Sequence, residues 1–169
     1  MMDDVMRKAL AEVDAETPGS PSLSKESWGP GPWHDEPDRL EFEAHGFSCL
    51  ITRHAVMGNL CGYVAMPPGH PWHGKHYNDI DASVHGGLTY ANACQGPVCH
   101  VPKPDEPDDV WWLGFDMAHV YDLIPAAAGG ELGEIMKRLR AGDPSTYRDI
   151  AYARAECEGL AQQAAAAQP

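Results

Sequence analysis

Apolar side chains between residues 38 and 115 recur mostly at every second position, the period of a half-buried strand. "RLEFEA" places Leu40, Phe42 and Ala44 on one side and acids on the other. His45-Gly46 then turns the chain, and Phe47, Cys49 and Ile51 resume the alternation, predicting a β-hairpin. "LCGYVAMP", residues 60–67, predicts a third strand that Pro67-Pro68-Gly69 closes, followed by a long irregular loop to about Ser83. "VHGGLTY", residues 84–90, reads as a fourth strand interrupted by two glycines, and "VWWLGF", residues 110–115, as a fifth. Elsewhere the period lengthens to that of a helix. Met6, Ala9, Leu10 and Val13 share a face over residues 3–16, and Leu132, Ile135, Met136 and Leu139 form a stripe that Gly142 ends. Asp143-Pro144 reads as the start of a last helix, with Ile150, Ala153, Cys157, Leu160 and Ala164 as its buried stripe. Strands first and helices after them predict an α+β fold: an antiparallel sheet of about five strands, with C-terminal helices on one face.

The same pattern divides the chain. Residues 1–33 read as an N-terminal helix and an extended arm rich in Pro, Gly and Ser. Trp28 and Trp33 give that arm a reason to dock rather than float. Residues 34–163 read as one domain and residues 164–169 as a frayed tail.

Charge narrows the function. The 169 residues hold 12 Lys and Arg against 25 Asp and Glu, a formal net charge of -13. That excludes a basic nucleic-acid or membrane-surface binder. No apolar run is long enough to span a bilayer, and "MMDDVMRKAL" lacks the regions of a secretory signal. The five cysteines then read as reduced thiols in the cytoplasm. Between Arg53 and Lys137 the only basic residues are Lys75 and Lys103, amid many acids. An anionic ligand in this region needs a divalent cation or backbone donors to offset the field.

Three stretches offer chemistry. In "WWLGFDMAHVYDLIP" Asp116, His119 and Asp122 stand three residues apart, near one face if the segment forms a helical turn. Carboxylate and imidazole together suit Zn²⁺, Mn²⁺ or Fe²⁺. The competing reading makes Asp116 a turn cap and His119 a local hydrogen-bonding group. In "VHGGLTY" His85 precedes Gly86 and Gly87, whose backbone N–H groups suit a ligand or oxyanion, or else mark a bulge. In "HPWHGKHYNDID" His70, His73 and His76 recur at three-residue spacing in a loop. Cys94, Cys99 and His100 form a weaker zinc candidate, with no second cysteine pair to complete it.

The segments "GYVAMPPGHPWHGKHYNDIDASVHGGLTY", "WWLGFDMAHVYD" and "YRDIAYARAECEGLA" together resemble a family of uncharacterised proteins of tailed phages, prophages and bacteria, over roughly residues 46–162. The likeness is specific at Gly62-Tyr63 with His70-Pro71, at His85 to Thr89, and at Trp111 to Asp122, with a Tyr152, Glu156, Leu160 helix to close it. Met117 stands where that pattern usually carries Cys. The resemblance implies that these polar positions belong together, and it singles out His70 among the loop histidines.

Two functions are expected from these residues. The first is a divalent-metal-dependent hydrolase of a small phosphorylated nucleotide or signal molecule, in the cytoplasm of a phage host. Zn²⁺, Mn²⁺ or Mg²⁺ would be held by His85, Asp116, His119 and Asp122. Glu156 and His70 would be catalytic, and Gly86, Gly87, Thr89 and Trp112 would hold the ligand. The second is a binding protein that sequesters a nucleotide signal or inhibits a host defence protein, with Trp111, Trp112, Tyr90 and the His70 loop as its surface. Neither involves direct nucleic-acid binding or a membrane.

Overall fold

The computed structural model describes residues 25–139 and 145–167, apart from the side chains of residues 132, 136 and 137. The expected N-terminal helix lies outside these residues, as does the expected Asp143-Pro144 cap.

Five strands form one antiparallel sheet: β1 (Arg39–Ala44), β2 (Phe47–Arg53), β3 (Leu60–Met66), β4 (Tyr90–Ala93) and β5 (Trp111–Asp116), in the spatial order β1-β2-β3-β5-β4. The β1–β2 hairpin pairs Ala44 with Phe47 across His45 and Gly46, both at positive φ. Three helices follow: α1 (Pro125–Ala128), α2 (Gly130–Leu139) and α3 (Ile150–Ala166). The fold is the α+β arrangement read from the sequence.

Helix α3 covers one face of the sheet. Its stripe of Ala153, Cys157, Leu160, Ala161 and Ala164 is buried against Cys49, Ile51, Val64, Leu113 and Phe115. The approach is closest at Gly62, where a Cβ would lie 2.7 Å from the Cys157 Sγ, so only glycine fits. Burial pushes the Cys49 thiol up to about 12 and raises that of Cys157 further, leaving both inert. On the opposite face Leu50, Ala65, Val98, Val110 and Trp112 form a second cluster under the loop that joins β4 to β5.

Three boundaries and one buried stripe differ from the sequence reading. The fourth strand begins at Tyr90, because His85-Gly86 is a turn with Gly86 and Gly87 both at positive φ. The last helix begins at Ile150: the Asp149 side chain accepts from the Tyr152 amide, and residues 145–149 are not helical. It runs on through Ala166 with Ala164 buried, so residues 164–166 belong to the helix rather than to a frayed tail. Ile135 and Leu139, from the expected stripe of α2, face solvent at 45% and 77% exposure.

The arm docks through its tryptophans. Trp28 and Trp33 are each 3% exposed; Trp28 packs at Gly58 and Gly129, and Trp33 meets the Tyr147 ring edge-on. Beside them lies a polar knot. The Arg53 side chain, 2% exposed, donates to Glu36, to Asp38, to the Gly58 carbonyl and to the Tyr147 hydroxyl. The Tyr147 hydroxyl donates to Glu36 at 2.6 Å, and the other Glu36 oxygen accepts from the Ile150 amide at 3.0 Å. Glu36 thus ties the arm, β2 and the start of α3 together.

Tyr147→Phe removes one partner of the buried Arg53 and one of Glu36. The expected loss is about 1–3 kcal/mol, a fall in melting midpoint on the order of 5 °C. Thermal unfolding of the variant checks it, and an unchanged midpoint would show the knot to be incidental.

Candidate metal and ligand site

The site forms where three chain segments meet. Strand β5 ends at Asp116, and the chain turns over residues 117–122, held by the Met117 amide on the Leu60 carbonyl and the Asp122 amide on the His119 carbonyl. Asp122 then pairs in a parallel bridge with Thr146, just before α3. The His85-Gly86 turn closes the third side, and its His85 amide donates to Glu156 Oε2 at 2.7 Å.

Asp122 is at the centre and is 2% exposed. Its Oδ2 accepts from His85 Nε2 at 2.7 Å and from the His119 amide at 3.0 Å, with His119 Nδ1 at 3.3 Å. Its Oδ1 accepts from Arg148 Nε at 3.0 Å. Burial alone would raise its pKa. The His85, His119 and Arg148 donors outweigh burial and hold the carboxyl below its ordinary value. An ionised Asp122 can only accept, so His85 Nε2 carries the proton and Nδ1 accepts from the Tyr152 hydroxyl at 2.9 Å. Arg148 lies over the Tyr152 ring at 4.8 Å, which closes a ring of four side chains.

Ligand atoms of His85, His119 and Asp122 all lie within 4.8 Å of one another, and this cluster could hold a metal ion. Ligands at 2.0–2.1 Å from a tetrahedral zinc stand about 3.3 Å apart. The His119–Asp122 separation already has that value. Asp116 sits at the rim. Its Oδ1 accepts from the Ala118 amide at 3.1 Å and lies 3.9 Å from His119 Nδ1; its Oδ2 accepts from Thr89 Oγ1 at 3.0 Å. It is both the turn cap and a neighbour of the cluster.

The glycines shape the turn. A Cβ on Gly86 would fall 2.0 Å from His119 Cε1, so the imidazole lies directly on the glycine backbone. Gly87, at φ +83, would meet nothing within 4 Å. Glu156 Oε2 accepts from the His85 amide, which places its carboxylate beside the turn.

Other expected residues are placed elsewhere. His70 Nε2 donates to the Ala164 carbonyl at 3.0 Å, and its Nδ1 accepts from the Trp72 amide. Ala164 lies three turns beyond Tyr152, about 18 Å along the helix. His70 therefore fastens the loop to the far end of α3. His73 donates to the Asp109 carbonyl, and His76 caps a short 3-10 turn. Trp112 is fully buried on the opposite face of the sheet, because adjacent strand residues point to opposite sides. Met117 is 1% exposed and belongs to the core. Cys94 and Cys99 are joined in a disulfide, so they are neither reduced thiols nor zinc ligands, whereas Cys49, Cys61 and Cys157 form no disulfide among the described residues.

Sequence reasoning missed Arg148 and gave Tyr152 no role. The signal was the spacing: Tyr152 and Glu156 stand four apart on α3 and both reach the His85 turn, with Arg148 just ahead of the helix over the Tyr152 ring. Among the described residues no helix is long and apolar enough to cross a membrane. Comparison with family models, with curated proteins and with solved structures finds no match.

Asp122→Asn keeps the shape of the side chain and removes the charge that His85 and Arg148 face. We expect a loss of about 1–3 kcal/mol. Asp116→Asn, at a side chain 35% exposed, can still cap the turn and should change stability by less than about 0.5 kcal/mol. Chemical denaturation of both variants tests the contrast; equal losses would place the two carboxylates in equivalent roles.

Proposed function

We propose that the protein is a divalent-metal-dependent hydrolase acting on a small phosphorylated nucleotide or signal molecule. The observation that carries this reading is the convergence of His85, His119 and Asp122 donor atoms within 4.8 Å around a buried, ionised carboxylate. Two imidazoles and one carboxylate suit Zn²⁺ or Mn²⁺, and such a three-ligand set leaves a coordination position for water.

His85 and His119 would hold the ion through their ring nitrogens, at the place of the His85 Nε2 proton. Tyr152 keeps the His85 ring in register through Nδ1. A divalent ion held there would supply a water of lowered pKa. Asp116, the half-buried carboxylate beside His119, takes the proton of the attacking water. The hydroxyl ends on phosphorus, the phosphoester P–O bond breaks, and the proton passes to the leaving oxygen. The resemblance to phage and prophage proteins supports action on a nucleotide signal in the cytoplasm of a bacterial host, without direct contact to nucleic acid or membrane.

The alternative is capture without turnover, of a nucleotide signal or of a host defence protein. It draws on Val120 and Tyr121, exposed at 74% and 64% between His119 and Asp122, where a partner or base could rest.

The test is metal binding followed by turnover. Dialysed protein titrated with Zn²⁺ and Mn²⁺ is expected to bind one ion per chain and to gain in melting midpoint as the ion saturates it. His85→Ala and His119→Ala should each weaken binding at least about a hundredfold, two decades or 2.7 kcal/mol. Loss of phosphate release from a nucleotide panel on adding chelator would follow. Wild type that binds neither ion ends the metal reading; ion binding without turnover of any nucleotide favours the capture reading.

A further inference from the structure

The cluster presents three carboxylates, those of Asp122, Asp116 and Glu156, and among the described residues one guanidinium, Arg148, contacts it. Arg53 and Lys103 are paired elsewhere, with Glu36 and Glu43. Arg148 is held in an unusual way. Only its Nε meets Asp122, because Asp122 Oδ2 is taken by His85 and the His119 amide, so the two-pronged pairing that guanidinium and carboxylate favour is not made. Its planar face rests on the Tyr152 ring at 4.8 Å, and its side chain stays 26% exposed. Among the described residues neither Nη has a hydrogen-bond partner.

We infer that Arg148 grips the phosphoryl group of the ligand through its two Nη atoms, with the ion at His85, His119 and Asp122 on the other side of the same group. The location rests on the metal proposal above; the anion contact does not. A guanidinium fixed at Nε and stacked on a ring offers two parallel N–H donors at the spacing of two phosphoryl oxygens. The charge count adds a condition. Three carboxylates against one guanidinium leave two negative charges in excess, which one divalent ion neutralises. Phosphate therefore binds strongly only with the ion present, and by linkage phosphate strengthens retention of the ion by the same factor. With a single guanidinium and a single ion, the site matches one phosphoryl group, as in a phosphomonoester or phosphodiester, rather than a polyphosphate chain.

The experiment is calorimetric titration of the full-length chain with inorganic phosphate, in Mn²⁺ and in chelator. It is run for wild type, Arg148→Gln and Arg148→Lys, with Mn²⁺ affinity and melting midpoint measured in parallel. Wild type should bind phosphate in Mn²⁺ and markedly more weakly in chelator. Arg148→Gln should weaken phosphate binding about tenfold or more while its Mn²⁺ affinity changes less. Arg148→Lys, which keeps the charge beside Asp122 and guards against a folding failure of the Gln variant, should lose a smaller factor because the fork is gone. Unchanged phosphate affinity in either folded variant overturns the inference, as does wild type that binds no phosphate at millimolar concentration in either condition. Should Mn²⁺ fail to bind while phosphate affinity still falls with Arg148→Gln, the metal proposal fails and the anion contact stands.

Discussion

A carboxylate taken out of water has to be met by donors, and Asp122 is met from every side. It is 2% exposed, and the groups that reach it come from the His85 turn, the residue 117–122 turn and the approach to α3. Burying such a charge unpaired would cost several kcal/mol, so these segments hold together or the charge is stranded. The sheet only brings strand ends near one another. Val84, Leu88, Met117, Ile150 and Tyr152 bring the three segments onto one apolar cluster, and the desolvated carboxylate fixes how their polar groups meet above it. Tyr152 and Arg148 follow from the same demand: one fixes the His85 ring, the other covers the second oxygen.

The remainder of the molecule is arranged to bring α3 to that point. Gly62 lets the helix sit against β3 through Cys157, and the Glu36–Arg53–Tyr147 knot holds the first turn of the helix to the arm and to β2. Arg148 and Tyr152 lie within that first stretch, so the arm positions site residues it never touches. His70 does the same at the other end, through the Ala164 carbonyl.

Local pattern made much of this legible. Alternation located β1 and β2, short apolar runs located β3 and β5, whose centres are buried on both faces, and the His45-Gly46 turn fixed the hairpin register. Three-residue spacing placed Asp116, His119 and Asp122 in one turn. What pattern could not supply was choice of partner. The His70, His73 and His76 series has a ligand-like spacing, yet each ring serves a backbone group within or beyond its loop. Cys94 and Cys99 looked like two more thiols until a five-residue turn brought them together. The start of α3 moved from Asp143 to Asp149 because residues 145–149 are spent on Asp122 and Glu36 contacts before the helix can begin. Trp112 reads as a stacking platform only while the face that bears it is unknown.

The sheet order also leaves β1 and β4 as its two margins. Along β1 the outward positions are Arg39, Glu41 and Glu43, all exposed and charged. β4 is four residues long, and the Cys94–Cys99 ring and the Asn92–Gln95 side-chain pair follow directly on it. Neither margin offers the long, flat, uncharged row of backbone amides on which a strand from another chain can add. Charge along one margin and brevity of the other thereby disfavour strand addition when many copies of this chain are crowded together.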